Sequence, residues 1–310
     1  MVLAIDIGGT NTEFGVVDYS NDIVFFEQIK TKNHHSFSSY ITNFKSIVKR
    51  LATQYDIEAV GIGAPNYDSE SKSFCPVNFK WNDVSTVSLK NILEKEVSIP
   101  TFVVNDANAI ALAENSYGIG RRVSSFLMIT IGTGLGSGIV INNDLYNGPY
   151  GYAGEFGHTK VDDINRQCNC GGIGCLETVV SANGIKFSFA QKMKLKNMDE
   201  VPLVRQIFER ANQGDAECQE VLEYTFKVLG KKLSDAIHFL TPEAVVFGGN
   251  ISKSLHKYLP LVKQECEKHL MVNMQGRTIF HISDLLDKKM NILGPASLAI
   301  KKARVKNHIF

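Results

Sequence analysis

His158, Cys168, Cys170 and Cys175 lie close together in the chain, and one imidazole with three thiolates makes a closed tetrahedral donor set. Such a set suits a structural zinc ion better than a catalytic one, which keeps a position open. The Cys-x-Cys-x4-Cys spacing is not that of a zinc finger, so the same thiols could be reduced bystanders or partners in a disulfide. Gly171, Gly172 and Gly174 between them favour a tight ligand loop, which makes zinc the preferred reading. The segment before it, from Asn147 to His158, carries Glu155 among glycines, and Glu177 follows Cys175 by two positions. Carboxylates and amides clustered in this way suit a polyhydroxylated ligand, and a metal-braced loop would hold them rigidly. Singly, each glutamate would also pass for a solvated surface residue.

Two glycine-rich turns offer a second kind of chemistry. In Asp6-Ile7-Gly8-Gly9-Thr10-Asn11, a strand delivers a carboxylate, two glycines let backbone N–H groups approach an anion, and a hydroxyl follows. Gly-Gly-Thr is also ordinary hairpin chemistry. The device recurs from Ile131 to Gly138, with Gly132, Thr133, Gly134 and Gly136, and two such hairpins could hold the phosphates of one nucleotide. The flanks are strand on both sides rather than strand and helix, which argues against a dinucleotide fold, and no turn ends in Gly-Lys-Ser/Thr. Asn105-Asp106 stands where a strand-like TFVVN meets an alanine-rich helix. A carboxylate there can face a ligand, and it can equally be a routine helix cap.

The elements that must position these groups read as follows. Residues 2–7, 12–18 and 23–30 form an antiparallel meander, 37–55 a helix and 58–65 a strand. Ser85 would cap a helix running to Val97, Pro100 ends it, and 101–106 is a strand. Near 125–142 the strand, glycine turn and strand pattern repeats, which points to duplicated halves. Residues 181–240 are mainly helical. Cys218, Val221, Leu222, Val228, Leu229, Leu233, Ile237 and Leu240 keep core spacing before Thr241-Pro242 stops the helix. AVVFGGN then gives a strand, and a helix spans 252–270.

At 310 residues and 44% apolar composition the chain should form two lobes with a cleft, because single cores seldom grow beyond ~250–300 residues. Lysine plus arginine (33) balances aspartate plus glutamate (32), so no global field recruits nucleic acid or an anionic membrane. The first residues lack the basic start and apolar run of a signal peptide, and the expected setting is the reducing cytoplasm. Cys75, Cys218 and Cys266 read as ordinary buried or partly buried thiols, and the basic run Lys301, Lys302, Arg304, Lys306 as the solvated face of a last helix.

Taken in order, DIGGT, GAP at 63–65, Asn105-Asp106, GTGLGSG, AGEFGH, CNCGGIGCLE and FGGN resemble the ROK family of sugar kinases over nearly the whole chain. The pairing of AGEFGH with C-x-C-G-x-x-G-C-x-E is highly specific for it. The resemblance implies an α/β, two-lobed actin-like ATPase fold with ribonuclease H-like duplicated domains, a central cleft and a zinc-braced loop. The lobes would be 1–117, with a C-terminal helix near 296–310 returning to it, and 118–295. It implies Asp106 as general base in phosphorylating a hexose, glucose at the 6-hydroxyl foremost. ATP and Mg²⁺ would be held by Asp6, Gly8, Gly9, Thr10, Asn11, Gly132, Thr133, Gly134 and Gly136, with Gly248 and Gly249 near the adenosine. Asn78, Asn105, Asp106, Glu155, His158 and Glu177 would contact the sugar, and His158, Cys168, Cys170 and Cys175 would bind zinc. His158 could use one ring nitrogen on the metal and the other on a sugar hydroxyl. A homodimer is the implied assembly.

The chain departs from the family pattern with GAPN at 63–66 and GPAS at 294–297. Asn66 tolerates a left-handed turn nearly as glycine does, so a small change in loop shape is expected. Kinases of N-acetylmannosamine or N-acetylglucosamine are an alternative within the family. Sugar-sensing repressors resemble this chain preceded by a helix-turn-helix domain, and DIGGT starting at residue 6 counts against that reading.

Overall fold

The computed structural model describes residues 1–68, 70–76, 79 and 81–307. In chain order the strands are β1 (Val2–Ile7), β2 (Thr12–Val17), β3 (Ile23–Ile29), β4 (Ala59–Ala64), β5 (Tyr67–Asp68), β6 (Ser73–Phe74), β7 (Thr101–Asn105), β8 (Phe126–Ile131), β9 (Leu135–Ile141), β10 (Asp144–Tyr146), β11 (Ala244–Gly248) and β12 (Ile279–Ile282). The α-helices are α1 (Phe37–Gln54), α2 (Leu89–Val97), α3 (Asp106–Tyr117), α4 (Ala182–Lys192), α5 (Val204–Asn212), α6 (Ala216–Leu240), α7 (Leu259–His269) and α8 (Met290–Asn307). Two compact units result. The first holds Met1–Arg121, Asp144–Ala153 and the chain from Asp287 on; the second holds Arg122–Asn143 and Gly154–Leu286.

In the first unit the sheet order is β3-β2-β1-β4-β7. The expected meander of β1 to β3 is antiparallel, and β4 and β7 join it in parallel. Alternation along β1 decides what each face does. Leu3, Ile5 and Ile7 enter a core with Phe14, Tyr40, Phe44 and Leu51. Val2 and Ala4 face the other way, into a core with Ile292, Ala296 and Ala299 of α8. Asp6 shares the face of Val2 and Ala4, so it points to the side where α8 begins.

Helix α8 starts at Met290, earlier than the expected 296. It lies close to the sheet because glycines leave it room: a Cβ on Gly61 would sit 1.9 Å from the Pro295 carbonyl oxygen. Its contact with α3 is equally tight, since a Cβ on Gly294 would sit 1.9 Å from the Ala109 carbonyl oxygen. Gly294 is the first residue of the GPAS segment.

The second unit repeats the plan. Hairpin β8–β9 is antiparallel, β11 pairs with β8 in parallel, and β12 pairs with β11 in parallel. Helix α6 turns Cys218, Val221, Leu222, Leu229, Leu233 and Ile237 into the core, while Val228 and Leu240 are half-buried. Among the described residues, no helix is long and apolar enough to cross a membrane.

Two further boundaries differ from expectation. Helix α2 is capped by Ser88, not Ser85: the Ser88 hydroxyl accepts the Asn91 N–H at 3.3 Å. Val87 bonds Phe74 through both backbone groups, at 2.8 and 3.0 Å, which keeps the chain extended up to that point. The anticipated 252–270 helix is a 3-10 turn, Ser252–Lys257, followed by α7 with Pro260 in its first turn. Proline lacks the N–H that a continuous helix would need there and is preorganised to start a new one.

Replacing Gly294 by alanine should lower stability by about 1–3 kcal/mol, the usual cost of forcing a methyl into a packed contact. Urea unfolding measures it, and an unchanged midpoint would show that α3 and α8 do not need their close approach.

Candidate active site

In the first unit, register alone assembles a carboxylate site at the C-terminal ends of the parallel strands, where open α/β sheets bind ligands. Asp6 lies opposite Glu13 of β2 and opposite Gly63 of β4. Gly63 faces Val104, and Ala64 faces Asn105. Like charges placed opposite one another across strands repel. Here Asn291 of α8 intervenes, its Nδ2 donating to Asp6 Oδ2 at 3.2 Å and to Glu13 Oε2 at 2.6 Å. Burial pushes the Asp6 carboxyl up to about 7; the Asn291 hydrogen bond opposes that rise, and the charges of Asp106 and Glu13 reinforce it.

Asn105 ends β7 and caps α3, its Oδ1 accepting the Ala107 N–H at 2.9 Å. Asp106 is therefore the first residue of the helix rather than its cap, although its Oδ1 also accepts the Ala107 N–H at 2.9 Å. Its side chain keeps an accessible surface, yet protein crowds around it, and that desolvation raises its pKa despite the backbone hydrogen bonds. The β1–β2 turn closes with the Gly8 N–H donating to the Asn11 carbonyl at 2.9 Å. Gly9 and Thr10 stand exposed, nothing lies within 4 Å of a Cβ on Gly9, and the buried Asn11 Oδ1 has no hydrogen-bond partner. An open turn with an unmatched acceptor fits a hydrated ligand.

In the second unit the β8–β9 turn is Gly132-Thr133-Gly134, closed by the Gly132 N–H on the Gly134 carbonyl at 2.9 Å. Thr133 is exposed. The end of β11 lies beside it: the Ile251 N–H donates to the Ile131 carbonyl at 3.0 Å. Gly249 has φ 85°, and a Cβ there would sit 2.6 Å from the same oxygen. Gly132, Thr133, Gly134, Gly136, Gly248 and Gly249 are thus brought to one end of this sheet.

The four metal-ligand candidates converge in the same unit, their donor atoms all within 4.8 Å of one another. Cys168 Sγ stands 3.7 Å from His158 Nδ1, and Cys170 Sγ stands 3.7 Å from Cys175 Sγ. A tetrahedral zinc with Zn–S of about 2.3 Å and Zn–N of about 2.1 Å would separate its ligand atoms by about 3.6–3.8 Å. A disulfide needs about 2.05 Å, and all six cysteines are free. Backbone bonds fix the loop: Cys168 N–H to Gly172 O at 2.8 Å, Gly174 N–H to Arg166 O at 2.9 Å and Leu176 N–H to Thr159 O at 2.9 Å. Burial pushes the Cys168 thiol up to about 12, so a thiolate there calls for a cation. The other ring nitrogen of His158, Nε2, lies 3.7 Å from Glu155 Oε2. Imidazole therefore faces the donor set with one nitrogen and a carboxylate with the other.

Glu177 does something its sequence position did not announce. Its Oε2 accepts the Leu135 N–H at 2.9 Å, at the base of the glycine turn. Glu13, Asn291 and the pair Asn108–Asn147, bonded at 3.1 Å, also escaped the sequence reading. A hairpin register would have found Glu13, whereas nothing in the sequence ties Asn291 to residues 278 and 285 positions away. Asn78 lies outside the described residues. Asn66 has φ 52°, the left-handed turn expected of it.

Asn291→Leu removes the donor that opposes the rise of the Asp6 pKa. A carboxyl whose folded pKa of about 7 exceeds its ordinary 3.8 loses stability as pH climbs through that window. The window widens upward in the variant, so urea unfolding without divalent cations should show a larger stability loss at pH 8 than at pH 5. Equal losses at both values would contradict the assigned role.

Residues 2–302 match the profile of the ROK family. The glucokinase of Halalkalibacterium halodurans is 32% identical over 300 residues, covering 91% of this chain and 90% of the relative. The xylose repressor of Caldicellulosiruptor bescii is 26% identical, over 96% of this chain and 78% of its own length. Among solved structures, a ROK family glucokinase from Streptomyces griseus in complex with glucose and AMPPNP superposes with a TM-score of 0.79 at 29% identity, covering 97% of this chain and 99% of that one. The two repeated sheets are those of the actin-like ATPase fold, and the chain belongs to the ROK family.

Proposed function

We propose that this protein is an ATP-dependent sugar kinase that phosphorylates a hexose, glucose at its 6-hydroxyl being the first candidate. The observation that carries the reading is Asp106, an accessible carboxylate at the first turn of α3 whose pKa is raised by its surroundings. A base poised above the ordinary carboxylate range is better matched to a sugar hydroxyl than a fully solvated aspartate. Glucokinases among the relatives support the choice of substrate class.

Asp106 takes the hydroxyl proton as the oxygen attacks the γ-phosphorus in line, while the bond from that phosphorus to the β,γ-bridging oxygen breaks and ADP leaves. The Gly8 and Gly132 N–H groups close their turns, so the other backbone N–H groups of Gly8-Gly9-Thr10 and Gly132-Thr133-Gly134 are the ones that offset charge on the phosphoryl oxygens. Asp6, with Glu13 and Asn11 beside it, suits the Mg²⁺ that accompanies ATP and would neutralise phosphate charge when bound. Asn105, Glu155, His158 and Glu177 are assigned to the sugar. The His158, Cys168, Cys170 and Cys175 set would hold a structural zinc, which would order the loop without touching the reacting atoms. Most of the acceleration comes from positioning and electrostatics.

Asp106→Ala should lower kcat by about 10²–10⁴, the range for loss of a general base, with sugar binding largely kept. Steady-state kinetics coupled to ADP release checks this, and near-normal turnover would remove Asp106 from the role. Because the base acts deprotonated and its pKa is raised from 3.8, kcat/KM should fall on the acid side at a pH above the ordinary carboxylate range. A profile flat down to pH 4 would contradict it.

Metal analysis of the purified protein should find one zinc per chain. Cys170 is exposed, so Cys170→Ala costs little packing and tests ligation alone. Loss of zinc together with a lower melting temperature is expected; wild-type protein free of zinc and indifferent to a strong chelator would refute the metal assignment.

A further inference from the structure

We propose that Glu177 is a positioning residue that joins the metal loop to the glycine turn, so that an occupied His/Cys set tightens the hold on nucleotide phosphates; this rests on the kinase reading above. The backbone of Glu177 is fixed from the metal side. It sits in the 3-10 turn Leu176–Thr178, directly after the ligand Cys175, and both Cys175 and Leu176 are fully buried. The Leu176 N–H on the Thr159 carbonyl at 2.9 Å ties that turn to the strand-like segment following His158.

From this anchor one carboxylate oxygen reaches the glycine turn. Oε1 stands 3.7 Å from Cys168 Sγ, and Oε2 accepts the Leu135 N–H at 2.9 Å. The turn above Leu135 is poor in its own restraints, because Gly132 and Gly134 have no side chains with which to brace it. A Cβ on Gly134 would lie 2.4 Å from Glu177 Oε2, so glycine at 134 is what lets the carboxylate in. Gly157, beside the ligand His158, packs on the same place, a Cβ there falling 2.1 Å from the Leu135 carbonyl. Both ends of the metal loop therefore bear on the residue that closes the turn. A carboxylate with one oxygen on the turn still has the other for a sugar hydroxyl, so the two duties are compatible.

The test is direct binding of AMPPNP by calorimetry, without sugar, combined with hydrogen exchange at the Leu135 amide. It uses wild type, Glu177→Ala, Glu177→Gln, and wild type stripped of zinc. Loss of a hydrogen bond to a charged acceptor should raise the AMPPNP Kd about tenfold in Glu177→Ala and in stripped protein, and Leu135 should exchange faster in both. Glutamine keeps an acceptor oxygen and should restore part of the affinity, which a folding defect at 177 would not allow. Unchanged Kd and exchange, with only the sugar KM raised, would overturn the proposal. Wild-type protein that binds no AMPPNP would refute the kinase reading and the nucleotide half of the proposal, while the exchange data would still decide the link between Glu177 and Leu135.

Discussion

Asp6 and Glu13 face each other across β1 and β2, and the first unit is built around making that tolerable. Two carboxylates at opposed register positions repel, and burial makes the ionised form of Asp6 costlier still. The donor that relieves them comes from Asn291, at the start of α8, which can reach the sheet only because Gly15 and Gly61 clear its path. An arrangement that costs stability yet is held by close packing is what the proposed Mg²⁺ role of Asp6 would account for.

The second unit solves a different problem with similar topology. Its glycine-rich turn has one backbone bond of its own, Gly132 N–H to the Gly134 carbonyl, and further restraint comes from outside the hairpin: Glu177 on Leu135, and the Ala182 N–H on the Gly132 carbonyl at 2.8 Å. Both restraints come from the chain just beyond Cys175, the last of the three clustered cysteines. A loop of glycines and polar residues has little apolar surface to bury, and a metal on the four candidate ligands, as proposed, would give it one conformation.

Much of this was legible in the sequence for identifiable reasons. Alternating apolar residues and glycine turns predicted both hairpins, and the Cys-x-Cys-x4-Cys spacing with an upstream histidine predicted the donor set that the fold brings within 4.8 Å. Most of what escaped depended on tertiary neighbours. Ser85 is as good a cap by type as Ser88, and only the pairing of Val87 with Phe74 chooses between them. Pro260 splits one anticipated helix because ring geometry overrides apolar periodicity. Asn291 and the second contact of Glu177 join residues far apart in the chain through side-chain amide and carboxylate groups, for which a single sequence carries no local signal.

The central claim is sugar-dependent transfer of the ATP γ-phosphoryl group. Phosphorus NMR of the purified protein with ATP, Mg²⁺ and glucose tests it most directly. The account predicts that the γ-phosphate resonance is replaced by that of a sugar phosphate monoester as ADP accumulates. Only inorganic phosphate, or ATP unchanged across glucose and the other hexoses and N-acetylhexosamines, would contradict it.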